Sequence, residues 1–168
     1  LGDVYKRQVL MENKDQALPI SQEKGTKVAL YGNGVYNTIK GGTGSGNVNV
    51  REEGNILVKQ GFEDAGYDIV NNHKYDGEET SFLEDRIAEY NQELKKYEGQ
   101  LNFNYVHNEP VYGDTEKGLA DVEAAAKETD TAIYVLSRQA GEGGDRRYEK
   151  GDYLLSDVEE ESLRLLSA

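Results

Sequence analysis

The residues best suited to chemistry lie in one stretch, Ser137-Arg138-Gln139-Ala140-Gly141-Glu142-Gly143-Gly144-Asp145-Arg146. It follows an unbroken apolar run, Ala132-Ile133-Tyr134-Val135-Leu136. A run this rich in β-branched and aromatic residues reads as a strand buried on both faces. Ligands of open α/β sheets sit outside the carboxyl ends of the strands. The strand therefore delivers one carboxylate, Glu142, to the edge where such a sheet does its chemistry. Gly141, Gly143 and Gly144 let the backbone turn tightly and approach a ligand closely.

A second loop has similar potential. Lys27 to Tyr31 (KVALY) reads as the first buried strand, followed by Gly32-Asn33-Gly34 and the glycine-rich Gly41-Gly42-Thr43-Gly44-Ser45-Gly46. A phosphate-cradling Walker A loop is excluded, because no Gly-Lys-Ser/Thr follows. Gly32 and Gly34 match the first two glycines of a dinucleotide fingerprint, but Asn37 stands in place of the third. Asp68 lies inside the second strand rather than at its end, where a ribose-binding acid belongs. The plainer reading is a flexible loop covering a sheet edge. A nucleotide-binding α/β module remains as one alternative, and it predicts measurable nucleotide affinity.

These loops need elements to hold them. Residues 52–65 read as a helix, with Leu57, Val58, Gly61, Phe62 and Ala65 at helical spacing and Gly66 as its C-terminal cap. Tyr67 to Val70 is a short second strand. Leu83, Ile87, Tyr90, Leu94 and Tyr97 form a narrow stripe on a long polar helix, read as a surface excursion packed along one seam. Gln100 to Tyr112 reads as an extended loop. Gly118 to Glu128 reads as a helix with Leu119, Val122 and Ala126 facing inward. The last helix opens on a capping box, in which Ser156 caps and Glu159 reaches back. Strands alternating with helices imply a parallel sheet. The expected fold is α/β, a three-layer α/β/α sandwich with a mostly parallel sheet, truncated at its C-terminal side.

With 168 residues the chain suffices for one domain with a real core. Its formal net charge of −13 argues against nucleic acid and anionic membrane as partners and suits a neutral substrate such as a carbohydrate. No cysteine is present, which excludes disulfides and thiolate metal sites, and the two histidines, His73 and His107, are too few for a multi-histidine metal site. Both read as surface residues in polar loops. No apolar run approaches the ~20 residues that span a bilayer. Leu1 to Gln8 lacks the apolar core of a signal peptide and reads as an assembly scar, with a partial domain over residues 9–168. A cytoplasmic location is the expectation. Glu159-Glu160-Glu161 reads as a solvated helix start, favoured by the helix dipole.

Taken together, several segments carry a resemblance. They are Tyr31-Gly32-Asn33-Gly34, Lys40 to Asn49 (KGGTGSGNVN), Gly61-Phe62-Glu63-Asp64-Ala65-Gly66-Tyr67, Thr129 to Ile133, Arg138 to Glu142 (RQAGE) and Gly151-Asp152-Tyr153-Leu154-Leu155-Ser156. Upstream stand Val9-Leu10-Met11-Glu12-Asn13 and Leu18-Pro19-Ile20. The pattern closely resembles the α/β-sandwich domain of glycoside hydrolase family 3, the β-glucosidase and β-xylosidase family, from about Val9 to the end.

The resemblance implies part of a retaining β-glycosidase acting on terminal β-linked sugars of an oligosaccharide or β-glycoside, with no cofactor and no metal. A TIM-like barrel of the parent chain would carry the aspartate nucleophile. Glu142 would be the catalytic acid/base, and Gly42, Thr43 and Ser45 in the glycine-rich loop would border the substrate on the leaving-group side. The chain departs from close relatives in having Gly141-Glu142-Gly143 where they often carry Gly-Glu-Asp. A general acid must stay protonated near neutral pH, so its pKa must rise above about 4.3. Asp145 and Glu149 are placed to push it up, while Arg138, Arg146 and Arg147 oppose. Asp145 and Arg146 are expected to brace the loop. Without the barrel nucleophile the chain alone is expected to be inactive. The alternative is a non-catalytic carbohydrate-binding or interaction module.

Overall fold

A computed structural model of the chain describes residues 8–38, 56–74, 77–95, 116–138 and 146–168. Its centre is a parallel three-stranded sheet of β1 (Lys27–Tyr31), β2 (Asp68–Ile69) and β3 (Ala132–Tyr134), in the order β2-β1-β3. Lys27 and Val28 pair with Asp68 and Ile69, and Ala29, Leu30 and Tyr31 pair with Ala132, Ile133 and Tyr134. Four α-helices accompany the sheet among the described residues: α1 (Val58–Asp64), α2 (Phe82–Leu94), α3 (Glu116–Ala125) and α4 (Asp157–Leu166). The architecture is α/β, as the alternation of strands and helices predicts.

The apolar sequence of β1 is explained by its central place. Val28 through Tyr31 are all buried, and they anchor a core with Val35, Tyr36, Ile69, Val70, Phe82, Leu83 and Ala125. The equally apolar β3 differs from expectation. Ala132 and Leu136 are exposed and Ile133 to Val135 half-buried, because β3 pairs on one side only among the described residues. Strand pairing ends at Tyr134, although the Val135 N–H still donates to the Tyr31 carbonyl at 2.8 Å.

The second strand is shorter than its sequence suggests, since Val70–Asn72 turns into a 3-10 helix. A side chain takes over from the backbone there. The fully buried Asn71 accepts the Leu30 N–H at 3.1 Å through Oδ1 and donates to the Leu30 carbonyl at 2.8 Å through Nδ2. The amide thus continues the β2 side of the ladder.

The helices follow the sequence signals with local corrections. Helix α1 begins at Val58, after an extended Leu57, and Gly66 closes it at φ 86°. Residues 52–55 of the expected helix lie outside the described residues. Helix α2 uses its stripe as a seam: Phe82 and Leu83 enter the core, Ile87 and Tyr90 pack against it, and Tyr90 meets the Tyr36 ring at 5.5 Å. Tyr97 and residues 100–112 lie outside the described residues. Helix α3 is rotated relative to the expected face. Asp121 and Ala125 point inward with Val122 partly covered, whereas Leu119 and Ala126 are exposed. The polar partner explains the rotation, because the buried Tyr31 hydroxyl donates to Asp121 Oδ2 at 3.2 Å.

Replacing Asn71 with Ala removes the partner of two buried backbone groups at once. At about 1–3 kcal/mol for each unsatisfied group, the substitution is expected to cost about 2–6 kcal/mol in urea unfolding. Asn71→Ser, which keeps one short polar group, should recover part of that loss.

Candidate functional site

The carboxyl ends of β1 and β3 meet in a junction that only small residues permit. After Tyr31 the chain enters a 3-10 turn, Asn33–Val35, with Gly32 at φ 88°. A Cβ on Gly32 would lie 2.5 Å from the Val135 carbonyl oxygen, and a Cβ on Gly34 would lie 2.5 Å from Val135 Cγ1. The Gly34 N–H donates to that same carbonyl at 3.0 Å. These two glycines, which match only the start of a dinucleotide fingerprint, let the exit of β3 lie directly against the exit of β1.

Side chains fix the next residues of both strands. Asn33, itself buried, accepts the Ser137 N–H through Oδ1 at 3.2 Å. The Ser137 hydroxyl donates to the Asn37 carbonyl at 3.4 Å. Thr38 donates to the Gly34 carbonyl at 3.0 Å and accepts the Val58 N–H at 3.0 Å, which ties the turn to the start of α1. The points from which the chain leaves toward Gly41–Gly46 and toward Gln139–Asp145 are therefore neighbours on one edge. Glu142, Gly42, Thr43 and Ser45 lie outside the described residues, as do Asp145 and His107.

The stretch that follows is held by two arginine–carboxylate pairs. Arg138 donates through Nη1 to Glu159 Oε1 at 2.6 Å and through Nη2 to Glu159 Oε2. Its Nε donates to the Asp152 carbonyl at 3.0 Å and its Nη1 also to the Ser137 carbonyl at 3.1 Å. Arg146 donates to Asp152 Oδ1 at 2.7 Å, and the Arg147 N–H donates to Asp152 Oδ2 at 3.0 Å. Arg146 thus braces the turn at residues 146–152 through the Asp152 carboxylate, while the expected bonding with Asp145 lies outside the described residues. His73 is exposed and bonds Asp68 at 2.8 Å, well removed in sequence from this edge.

Glu159 is the residue that sequence reasoning misplaced. The capping box forms as expected: Ser156 Oγ accepts the Glu159 N–H at 3.2 Å, and Glu159 Oε2 accepts the Ser156 N–H at 2.8 Å. Glu159 is not a solvated charge, however, being only 5% exposed. Glu160 keeps the expected solvent position. The capping signal found the backbone role of Glu159; nothing in the spacing joined it to Arg138, 21 residues earlier.

The electrostatics follow from these contacts. Burial pushes the Glu159 carboxyl up, but the Arg138 guanidinium and the Ser156 N–H outweigh it and hold the group below the ordinary glutamate value. The Arg146 hydrogen bond, aided by the Arg147 N–H, holds Asp152 below the ordinary aspartate value. Among the described residues no cluster of three or more His, Cys, Asp or Glu could hold a metal ion, and no helix is long and apolar enough to cross a membrane.

Residues 8–166 match the glycosyl hydrolase family 3 C-terminal domain. A β-glucosidase A from Butyrivibrio fibrisolvens is 32% identical over 151 residues, which make up 83% of this chain and 14% of that protein. The structure of β-glucosidase 3B from Thermotoga neapolitana in complex with α-D-glucose superposes with a TM-score of 0.64 at 30% identity, covering 95% of this chain and 20% of that one. A second structure of the same enzyme with glucose gives a TM-score of 0.63 at 28% identity. The chain therefore spans a small part of the length of each relative it matches.

Two outcomes are expected. Gly32→Ala meets both a left-handed backbone and the Val135 carbonyl at 2.5 Å, Gly34→Ala meets Val135 Cγ1 at 2.5 Å and the same carbonyl oxygen at 2.9 Å without the left-handed strain, and Gly25→Ala, at φ 80° with nothing within 4 Å, meets backbone strain alone. Overpacking costs about 1–3 kcal/mol and a left-handed alanine about 1–2 kcal/mol, so Gly32→Ala should be the most destabilising of the three in chemical unfolding. In a carboxyl-carbon NMR titration, Glu159 and Asp152 should both protonate below the ordinary range. A depressed folded-state pKa gives stability that is present above the unfolded value and lost as pH falls through the folded one. Both pairs should therefore be intact at neutral pH and open only in acid, below about pH 4.

Proposed function

Because the chain belongs to the glycosyl hydrolase family 3 C-terminal domain, we propose that it is the acid/base-bearing part of a retaining β-glycosidase of β-glucosidase type. Glu142 is the proton donor and acceptor, and the aspartate nucleophile lies in a barrel domain of the parent chain. The observation that carries this reading is the shared edge. The neighbouring exits of β1 and β3, joined through Ser137 to Asn33 and Asn37, launch both sequence-predicted loops from one place.

The chemistry asks two things of Glu142. It must donate a proton to the departing glycosidic oxygen, then take one from the water that releases the sugar from the nucleophile. A protonated glutamate near neutral pH needs an environment that does not favour its anion. Arg138 and Arg146 flank its segment, but each is engaged by another carboxylate, Glu159 and Asp152. Gly42, Thr43 and Ser45 border the leaving-group side. A retaining mechanism places its two carboxylates about 5–5.5 Å apart, so the chain without the barrel is inactive. No cofactor takes part.

The test uses the full-length parent. An alkoxide leaving group needs a proton and a dinitrophenolate hardly does. Glu142→Ala should slow hydrolysis of a natural disaccharide by about 10²–10⁴-fold and affect formation of the glycosyl-enzyme from a dinitrophenyl glycoside far less. Azide should rescue the second step by attacking the intermediate without base help. Equal loss on both substrates with no azide rescue assigns the acid to another residue. Absence of turnover in an intact, unmutated parent would favour a carbohydrate-binding or interaction module.

A further inference from the structure

We infer that Glu159 is a positioning residue for the acid/base segment, tying Arg138, which immediately precedes that segment, to the first turn of α4. The inference rests on the reading of Glu142 as the acid/base. A capping box asks one oxygen of its glutamate and leaves the side chain near solvent. Here the same carboxylate also takes the Arg138 fork with both oxygens while being only 5% exposed. Its acidic neighbours behave differently, since Asp157 and Glu160 meet Lys150 at the exposed surface.

Arg138 spends its donors on three separate pieces of chain. They are its own strand exit at the Ser137 carbonyl, the turn at the Asp152 carbonyl, and α4 at Glu159. A planar guanidinium held bidentately fixes direction as well as distance. Replacing a buried ion pair with apolar residues is often neutral for stability, so what this pair adds is geometry. From the opposite side, Asn33 fixes the Ser137 N–H. The departure of the segment is therefore set from two directions, by the β1 turn and by α4. A misplacement of about 1 Å can cost on the order of 10²-fold in rate, which makes this departure a place where small displacements register in catalysis.

The experiment is a comparison of variants of the full-length parent on a natural disaccharide and a dinitrophenyl glycoside. Glu159→Gln should slow the disaccharide by about 10–100-fold and the activated glycoside much less, with KM little changed. Added to Glu142→Ala, it should cause no further loss, because both act on the same proton transfer. Ser156→Ala is the control: it removes the cap hydroxyl but leaves the Arg138–Glu159 pair, so it should lower thermal stability while keeping the substrate ratio of the unmodified enzyme. If Glu159→Gln does not fold, Arg138→Lys tests the link from the other end, keeping the charge and losing the fork. Equal loss on both substrates, no loss, or full additivity with Glu142→Ala overturns the positioning role. Loss of the leaving-group signature in Glu142→Ala itself overturns the acid/base reading instead.

Discussion

The contact of Gly32 and Gly34 with Val135 is the constraint on which the rest of the edge depends. No side chain can be interposed there, since a Cβ at either glycine would stand 2.5 Å from an atom of Val135. Parallel strands are normally about 4.8 Å apart, with their exits free to diverge. Here the exits stay together for several residues beyond the ladder, through the Gly34 N–H, the Asn33 amide and the Ser137 hydroxyl. The result is a fixed base from which the chain departs toward residues 39–50 and toward residues 139–145.

Two arginine–carboxylate pairs extend that base into the following turn and helix. Arg138 and Arg146 stand on either side of residues 139–145, and their partners Glu159 and Asp152 lie in one stretch before and within α4. Ion pairs at the open surface contribute little to stability. The Arg138–Glu159 pair differs in being largely buried and shared with a helix cap.

Much of this was legible in the sequence where one local rule decides the outcome. KVALY forms β1 residue for residue, Gly66 ends α1, and Ser156 with Glu159 builds the capping box. The parallel pairing of all three strands follows from their alternation with helices. The family was legible too, because its glycine and acidic positions occur in fixed order along the chain.

What was not legible depends on partners distant in sequence. An apolar run cannot tell a central strand from one paired on a single side, so β3 appeared as buried as β1. Asp121 is polar, and only the Tyr31 hydroxyl beneath α3 makes it an inward position. Asn71 gave no sign that its amide would stand in for a strand backbone. Glu159 looked like one of three solvated acids, because its distinguishing partner, Arg138, is joined to it only in the folded chain.

We propose that the chain leaving β1 toward Gly41–Gly46 and the chain leaving β3 toward Glu142 serve the same edge of the sheet. The chain has no cysteine, so introduced ones can be labelled without background. Nitroxides at Thr43→Cys and Gly143→Cys, measured by double electron–electron resonance, should lie closer together than nitroxides at Thr43→Cys and Glu23→Cys, the latter just before the amino end of β1. A longer separation for 43–143 than for 43–23 would place the loops at opposite edges and contradict the account.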